Sequence, residues 1–205
     1  MLQRGGVSPD ATVGRGRPRD HGVDQRILVA TVELIEQLGY EGFTIEAVAV
    51  RAAVAKSTIY RRYPAKADLV LAAVAQLTDA TPVPDQGSLR ADLASLVDDF
   101  ARALRDGALG SMVRALQLAL AERPDLSDVA AAGFLADRKR ELDAIIDRAV
   151  QRGELPDDVD REIPFDLCFG GVLMRFLVMR LPITDSYAEH LVATVLEGYG
   201  QVPPP

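Results

Sequence analysis

Apolar residues recur at three- to four-residue intervals along most of this chain, and this spacing restricts the fold more than any other feature. The first long run extends from Val23 to Leu38 and ends at Gly39, a residue type that commonly stops a helix. No segment with the alternating period of a β-strand is long enough to pair with another. The sequence therefore predicts an all-α protein, and an aromatic content of only 5% without tryptophan agrees with that prediction.

Proline and glycine residues separate the predicted helices. The segment TPVPDQG at 81–87 contains two prolines and a glycine and is the clearest internal break. We predict helices near residues 23–39, 44–51, 56–62, 65–77, 89–105, 109–123, 126–152, 160–181 and 185–199.

Charge is distributed unevenly between the two sides of Lys66. The first 66 residues contain ten Arg and Lys against seven Asp and Glu, whereas the remainder contains 13 against 23. The net charge of −7 argues against a protein that coats nucleic acid or membrane along its whole length. The basic first third is typical of a region with its own partner, although chance variation on a solvated surface explains the charge equally well.

Residues 44–60 have the components of a helix-turn-helix. Ile45, Val48 and Ala49 form the buried side of a short first helix, and the small Ala52 and Ala53 permit a tight turn. The second helix presents short polar, hydroxyl and cationic groups, which suit phosphates and major-groove base edges: Lys56, Ser57, Thr58, Tyr60 and Arg61. Many helical hairpins are only structural, so the alternative is a helical interaction or scaffold protein without sequence-specific DNA binding.

The sequences GYEGFTI at 39–45 and VAKSTIYRRYPAKADL at 54–69 resemble the DNA-binding domain of the tetracycline-repressor (TetR) family. The resemblance covers about residues 23–75. Ala53 departs from it because the family usually has Gly there, a change that costs little if the residue is not left-handed. Tyr63 departs in a minor way, since Phe is commoner.

The resemblance implies a homodimer whose second motif helix enters the major groove of a palindromic operator, with one half-site per subunit. It implies contacts with phosphates or bases for Thr44, Lys56, Ser57, Thr58, Tyr60, Tyr63 and Lys66. Arg61 and Arg62 are less typical and are expected to reach either base edges or the backbone. For Tyr63, a place in the core beneath the motif is an equal alternative.

A second nucleic-acid feature precedes the motif. The sequence GRGRPR at 14–19 resembles an AT-hook, in which an extended chain enters a narrow minor groove whose negative potential attracts arginine. Arg17 and Arg19 are therefore predicted to contact DNA. The alternative is a solvated, disordered start of the chain.

For the remaining helices, the resemblance implies a ligand cavity and a dimer interface. The candidate pocket residues are Phe100, Leu104, Met112, Leu116, Phe134, Phe169, Met174, Arg175 and Phe176. The candidate interface residues are Gly170, Gly171, Leu173, Leu177, Leu191, Val195 and Leu196. The lining favours an apolar or aromatic effector, with Arg175 as its charge partner. Core packing is the alternative for each of these residues.

The sequence contains no motif that indicates an enzyme, a cofactor or a metal site. His21 and His190 are isolated, and Cys168 lies between Leu167 and Phe169 as expected for a buried, inert thiol. There is no Gly-rich phosphate loop, HExxH motif or nucleophile elbow. The most apolar stretch, 163–181, is interrupted by a proline and three charged residues, so we expect a cytoplasmic protein without a membrane partner.

These observations predict a ligand-responsive transcriptional regulator, and a repressor in particular. It has a basic disordered arm at 1–19, a helix-turn-helix DNA-binding domain at 20–66 and a helical bundle for ligand sensing and dimerisation at 67–205. The expected partners are an operator in double-stranded DNA, a small-molecule effector and a second copy of the chain.

Overall fold

The computed structural model describes residues 21–78 and 82–199, and within them the chain is helical and contains no β-strand, which confirms the all-α prediction. The first six helices are α1 (His21–Gly42), α2 (Ile45–Arg51), α3 (Lys56–Tyr60), α4 (Lys66–Thr78), α5 (Leu89–Asp106) and α6 (Ala108–Glu122). A 3₁₀ turn (Pro124–Leu126) leads into α7, which consists of Ser127–Ala130, the π-helical Ala131–Leu135, and Ala136–Gln151. Helix α8 consists of Glu162–Phe165, Asp166–Gly170, Gly171–Leu173 and Met174–Val178, of which the second and fourth segments are π-helical. Helix α9 is Asp185–Tyr199.

Gly39 interrupts α1 as the sequence predicts, although three further residues remain in a helical turn. Its φ of 71° lies in the left-handed region, and the chain bends there before α1 ends at Gly42. The bend directs Tyr40 and Phe43 into the core, where their rings pack edge to face with centroids 5.8 Å apart.

Helices α1, α2 and α3 form a small unit around buried apolar side chains, which include Ile27, Val48 and Ile59. Helix α4 packs against both α1 and α6, and α6 also contacts α1. The small unit is therefore joined to the C-terminal helices through α4 and α6 as well as along the chain.

The C-terminal helices α5–α9 pack around an aromatic cluster. Phe100 of α5 lies 5.2 Å from Phe169 and 6.2 Å from Phe134, measured between ring centroids. Gly110 lets α5 and α6 approach closely, because a Cβ atom at this position would lie 1.9 Å from the carbonyl oxygen of Leu104. We call α5–α9 the body.

The two longest predicted helices of the body differ from the structure in detail. Both α7 and α8 contain π-helical segments that apolar spacing did not indicate. Helix α8 ends at Val178, three residues earlier than predicted, because Arg180 adopts a left-handed backbone with φ 53° and Pro182 follows. Within residues 21–78 and 82–199, no helix is both long and apolar enough to span a membrane.

Candidate nucleic-acid interface

Helix α2 is positioned by its cap and its buried side. The Thr44 hydroxyl oxygen accepts a hydrogen bond from the amide of Ala47 at 3.1 Å, so Thr44 is the N-cap of α2. Glu46 lies in the first turn, where the helix dipole favours an acid. Ile45 and Val48 face the core, whereas Thr44 at the start of α2 is exposed to solvent.

The turn after α2 is a Schellman motif with alanine where glycine is usual. The Ala53 amide donates to the carbonyl of Val50 at 3.2 Å, and the Val54 amide donates to that of Ala49 at 3.0 Å. Ala53 has a φ of 53°. Its backbone is thus left-handed. Alanine in place of glycine therefore costs about 1–2 kcal/mol of stability at this position.

Helix α3 turns one side to the core and the other to solvent. Ile59 is fully buried, whereas the side chains predicted to read DNA are exposed at Lys56, Ser57, Tyr60 and Arg61 and half-buried at Thr58. Tyr60 is 47% exposed, a large value for an aromatic side chain. We call these five residues the α3 outer face.

The two cations of this face, Lys56 and Arg61, differ in whether a described acidic residue binds them. Lys56 Nζ lies 2.8 Å from Glu46 Oε1, and this hydrogen bond lowers the pKa of Glu46. Arg61 makes neither an ion pair nor a side-chain hydrogen bond within the described residues. An exposed pair such as Lys56–Glu46 is weak, so Lys56 can exchange its partner for a phosphate at little cost.

Arg62 and Tyr63 lie behind the α3 outer face and bind Asp24 of α1. Arg62 Nη1 contacts both carboxylate oxygens of Asp24, at 2.6 and 2.7 Å, and the Arg62 side chain is only 18% exposed. The Tyr63 hydroxyl lies 3.4 Å from the same carboxylate. Arg62 therefore fastens α3 to α1, and this arrangement does not support the expectation that it reaches DNA.

Lys66 is the first residue of α4 and lies over two aromatic rings. Its Nζ is 4.5 Å from the ring centroids of both Tyr40 and Phe43, and burial lowers its pKa. The Tyr40 hydroxyl donates to Glu122 Oε2 at 2.6 Å, and burial together with this carboxylate raises the pKa of Tyr40. This contact joins α1 to the end of α6 across 82 residues of sequence, and no local pattern could have indicated it.

Both parts of the chain match known families. Residues 27–73 match the family described as "Bacterial regulatory proteins, tetR family", and residues 83–195 match "Tetracyclin repressor-like, C-terminal domain". The chain belongs to the TetR family. The resemblance to the TetR family that residues 39–45 and 54–69 show is thereby confirmed. The match of the C-terminal part extends it to the body.

Individual relatives agree with this assignment. The HTH-type transcriptional regulator YdeS of Bacillus subtilis is 31% identical over 185 residues, which cover 90% of this chain and 93% of that protein. The DNA-binding transcriptional repressor TetR of Mycobacteroides abscessus is 32% identical over 194 residues, covering 90% and 95%. The crystal structure of the TetR family transcription regulator SCO0332 is 28% identical with a TM-score of 0.72, covering 89% of this chain and 99% of that one. The protein is a helix-turn-helix transcriptional regulator and not an enzyme.

The predicted pocket residues of this TetR-family body are mostly core. Phe100, Leu104, Met112, Leu116, Phe134 and Phe169 are buried and packed together. Met174 is instead on the outside of α8, and Arg175 donates from Nε to the Pro182 carbonyl at 2.7 Å and stacks on Tyr187. Phe176 lines a cavity of about 580 Å³. The apolar spacing identified interior residues but did not separate core from pocket.

The predicted interface residues stay predictions, and each has a defined place within its own chain. Val195 is 4% exposed and belongs to the core of its own chain, which leaves little of its surface for a partner. Gly171 accepts a hydrogen bond from the Tyr187 hydroxyl at 3.1 Å within the chain. Leu173, Leu177, Leu191 and Leu196 are partly buried against the same core, and Gly170 is exposed. Arg17 and Arg19 lie outside the described residues.

Proposed function

We propose that this TetR-family regulator is a homodimeric repressor that binds a palindromic operator through α3 and is released by a small molecule bound in the body. The observation that carries the proposal is the α3 outer face, in which Lys56, Tyr60 and Arg61 are exposed while Ile59 anchors the helix from behind. A helix held this way is suited to the major groove, since its hydroxyl and cationic groups match base edges and phosphates.

Residues around α3 have complementary roles in the proposal. Ser57 and Thr58 contact base edges, while Thr44 and Lys66 contact backbone phosphates at the starts of α2 and α4. Tyr63 supports the face from behind through Asp24. In the arm, Arg17 and Arg19 enter the neighbouring minor groove.

An exposed apolar stripe on α8 supports the homodimer. Ile163, Leu167, Met174 and Val178 are all exposed, and their spacing of about four residues places them along one side of the helix with the exposed Gly170 between them. Such a stripe is costly in water and is typical of a surface that another chain covers. A second copy covers it through a two-fold axis, where each α8 packs against its equivalent.

Operator binding is tested by fluorescence anisotropy with labelled DNA from upstream of the protein's own gene. The double variant Lys56→Ala, Tyr60→Ala should bind at least tenfold more weakly, because it removes a phosphate cation and a hydroxyl from the centre of the face. Lys139→Ala is the matched control, since this lysine lies on α7 and pairs with Glu162. No binding at low salt, or equal binding by the double variant, would favour the scaffold alternative.

Deletion of residues 1–19 tests the arm separately. It should weaken operator binding and reduce the dependence of affinity on salt, because fewer counterions are then released from the DNA. An unchanged affinity and salt slope would rule out a contact by the arm.

The dimer is tested by sedimentation velocity. Leu167→Glu places a charge within the stripe and should convert the dimer to monomer, with loss of operator binding. Val129→Glu is the matched control, because Val129 is also an exposed apolar residue but lies on α7 outside the stripe. A monomeric wild-type protein, or a dimer that survives Leu167→Glu, would exclude this interface.

A further inference from the structure

A cavity of about 580 Å³ lies between α5, α6 and the C-terminal end of α8. One part of its wall is apolar and includes Phe176, Leu177 and Ile183. Its polar wall contains the arginines Arg105, Arg114 and Arg180 together with Gln117, and no carboxylate residue lines it. The volume is that of a site for a small organic molecule, and the combination of wall types suits a ligand with an apolar body and a negative group.

Two of the three arginines have no anionic partner among the residues that the structure describes. Arg105 donates to the Ile183 carbonyl at 2.8 Å and contacts Asp106 and Asp185. The Arg114 guanidinium stacks on the Phe176 ring at 4.3 Å and makes no ion pair or hydrogen bond with residues 21–78 or 82–199. Arg180 makes neither kind of side-chain contact within the same ranges.

Arg114 and Arg180 are both exposed, whereas most guanidinium groups in the part of the chain that the structure describes do have a partner. Other guanidinium groups there are held by carboxylates, carbonyls or the Gln37 amide, and the exceptions are Arg61, Arg90, Arg114 and Arg180. Arg61 lies on the α3 outer face, where an external anion is expected. The convergence of two more exceptions on one cavity indicates a second place where an external anion binds.

The backbone of Arg180 is a separate sign of function. With a φ of 53°, this residue occupies a left-handed position after α8, where glycine would carry no strain. Four other described residues are left-handed, and three of them are glycines. They are Gly39, Gly87, Gly153 and Ala53. A strained arginine in the wall of a cavity is explained if its side chain binds something there.

We propose that this cavity binds an organic anion, an aromatic or aliphatic carboxylate or a similar acid, with its charged group held by Arg114 and Arg180. The apolar body of the ligand then packs on Phe176 and Leu177. This assignment rests on the proposed function, because it names the chemical class of the effector. It also replaces Arg175 as the charge partner, since the Arg175 guanidinium is already held by the Pro182 carbonyl and the Tyr187 ring.

The test is a fluorescence titration of the full chain without DNA, using two probes with the same aromatic body. 1-Anilinonaphthalene-8-sulfonate carries a negative charge, whereas N-phenyl-1-naphthylamine is neutral. The sulfonate should bind at one saturable site, and both Arg114→Ala and Arg180→Gly should weaken it about tenfold or more, the effect of removing one hydrogen bond to a charged group. The affinity for the neutral probe should change less than about twofold in either variant, a bound well below one such hydrogen bond. Octanoate, but not octanol, should displace the bound sulfonate.

The variants distinguish ligand binding from folding. Arg180→Gly removes a strained backbone, so its melting temperature should not fall, and lost sulfonate binding cannot then be attributed to unfolding. Arg90→Ala is the matched control, because this arginine also has no ion pair with a described residue but does not line the cavity. Equal affinity for the sulfonate in all variants, or equal binding of the two probes by the wild type, would overturn the proposal. Operator binding is measured separately by anisotropy, so either result leaves the DNA-binding proposal to its own test.

Discussion

The turn of the helix-turn-helix allows a stability prediction with an internal control. Ala53 and Gly153 occupy the same position of the same motif, with φ values of 53° and 75°. At each site, the amides of the left-handed residue and of the residue after it donate hydrogen bonds to carbonyls of the preceding helix. The distances are 3.2 and 3.0 Å after α2, and 2.9 and 2.9 Å after α7. Ala53→Gly should therefore stabilise the protein, and Gly153→Ala should destabilise it.

The magnitude follows from two opposing terms. A left-handed alanine costs about 1–2 kcal/mol, which Ala53→Gly removes. Glycine makes the unfolded chain more flexible, which offsets about 0.4–1 kcal/mol of this gain. The net gain is centred on about 0.8 kcal/mol, which for a chain of this size raises the melting temperature by about 2–3 °C.

Neither substitution changes packing, so the comparison isolates the backbone. Ala53 is exposed, and a Cβ atom added at Gly153 would have no neighbour within 4 Å. Differential scanning calorimetry of the two single variants and of the double variant measures both effects, which should add because the sites lie in separate helices. A lower melting temperature for Ala53→Gly, or a higher one for Gly153→Ala, would refute the reasoning.

Three further variants or reagents probe the core and its junction. Gly110→Ala should lower the melting temperature by at least about 2 °C in thermal unfolding, because its Cβ would meet the Leu104 carbonyl at 1.9 Å and overpacking costs about 1–3 kcal/mol. A change under about 1 °C would contradict the close approach of α5 and α6. Burial raises the pKa of Cys168 to about 12, so a disulfide reagent should not label the native protein at pH 8 but should label it in guanidinium. Because this pKa is about 8.5 in the unfolded chain, the thiol ionises more readily there, and the free energy of unfolding should fall as pH rises from about 9 towards 12. Urea titrations that show no such fall would contradict the burial of Cys168. Tyr40→Phe removes the hydrogen bond to Glu122 and should cost about 1 kcal/mol in the same titrations, whereas an unchanged midpoint would show that this bond does not stabilise the junction.

The helices and the motif were predictable because their signals are local. Apolar spacing placed Ile45, Val48 and Ile59 in the core, and Thr44 and Gly39 mark the start of one helix and the bend of another in both sequence and structure. Caps, turns and apolar faces depend on residues within a few positions of one another, so a single sequence contains the necessary information.

The body was less predictable because several side chains there are equally apolar. Spacing alone did not distinguish Val195, which is buried in its own chain, from Leu167 and Met174, which are exposed on α8. The π-helical segments in α8 change which residues share a side of the helix, and they leave no signature in the apolar pattern. The exposed stripe and the cavity therefore became visible only in three dimensions.

Local chemistry alone thus determined that the chain is all-α, contains a helix-turn-helix and presents Lys56, Tyr60 and Arg61 on its second helix. Tertiary structure decided which cations are free for external partners. It pairs Arg62 with Asp24 across 38 residues of sequence, while among the described residues it leaves Arg114 and Arg180 without an ion pair beside a partly apolar cavity. The physical reason is that an ion pair depends on distance in space, and folding brings together charges that are far apart in the sequence.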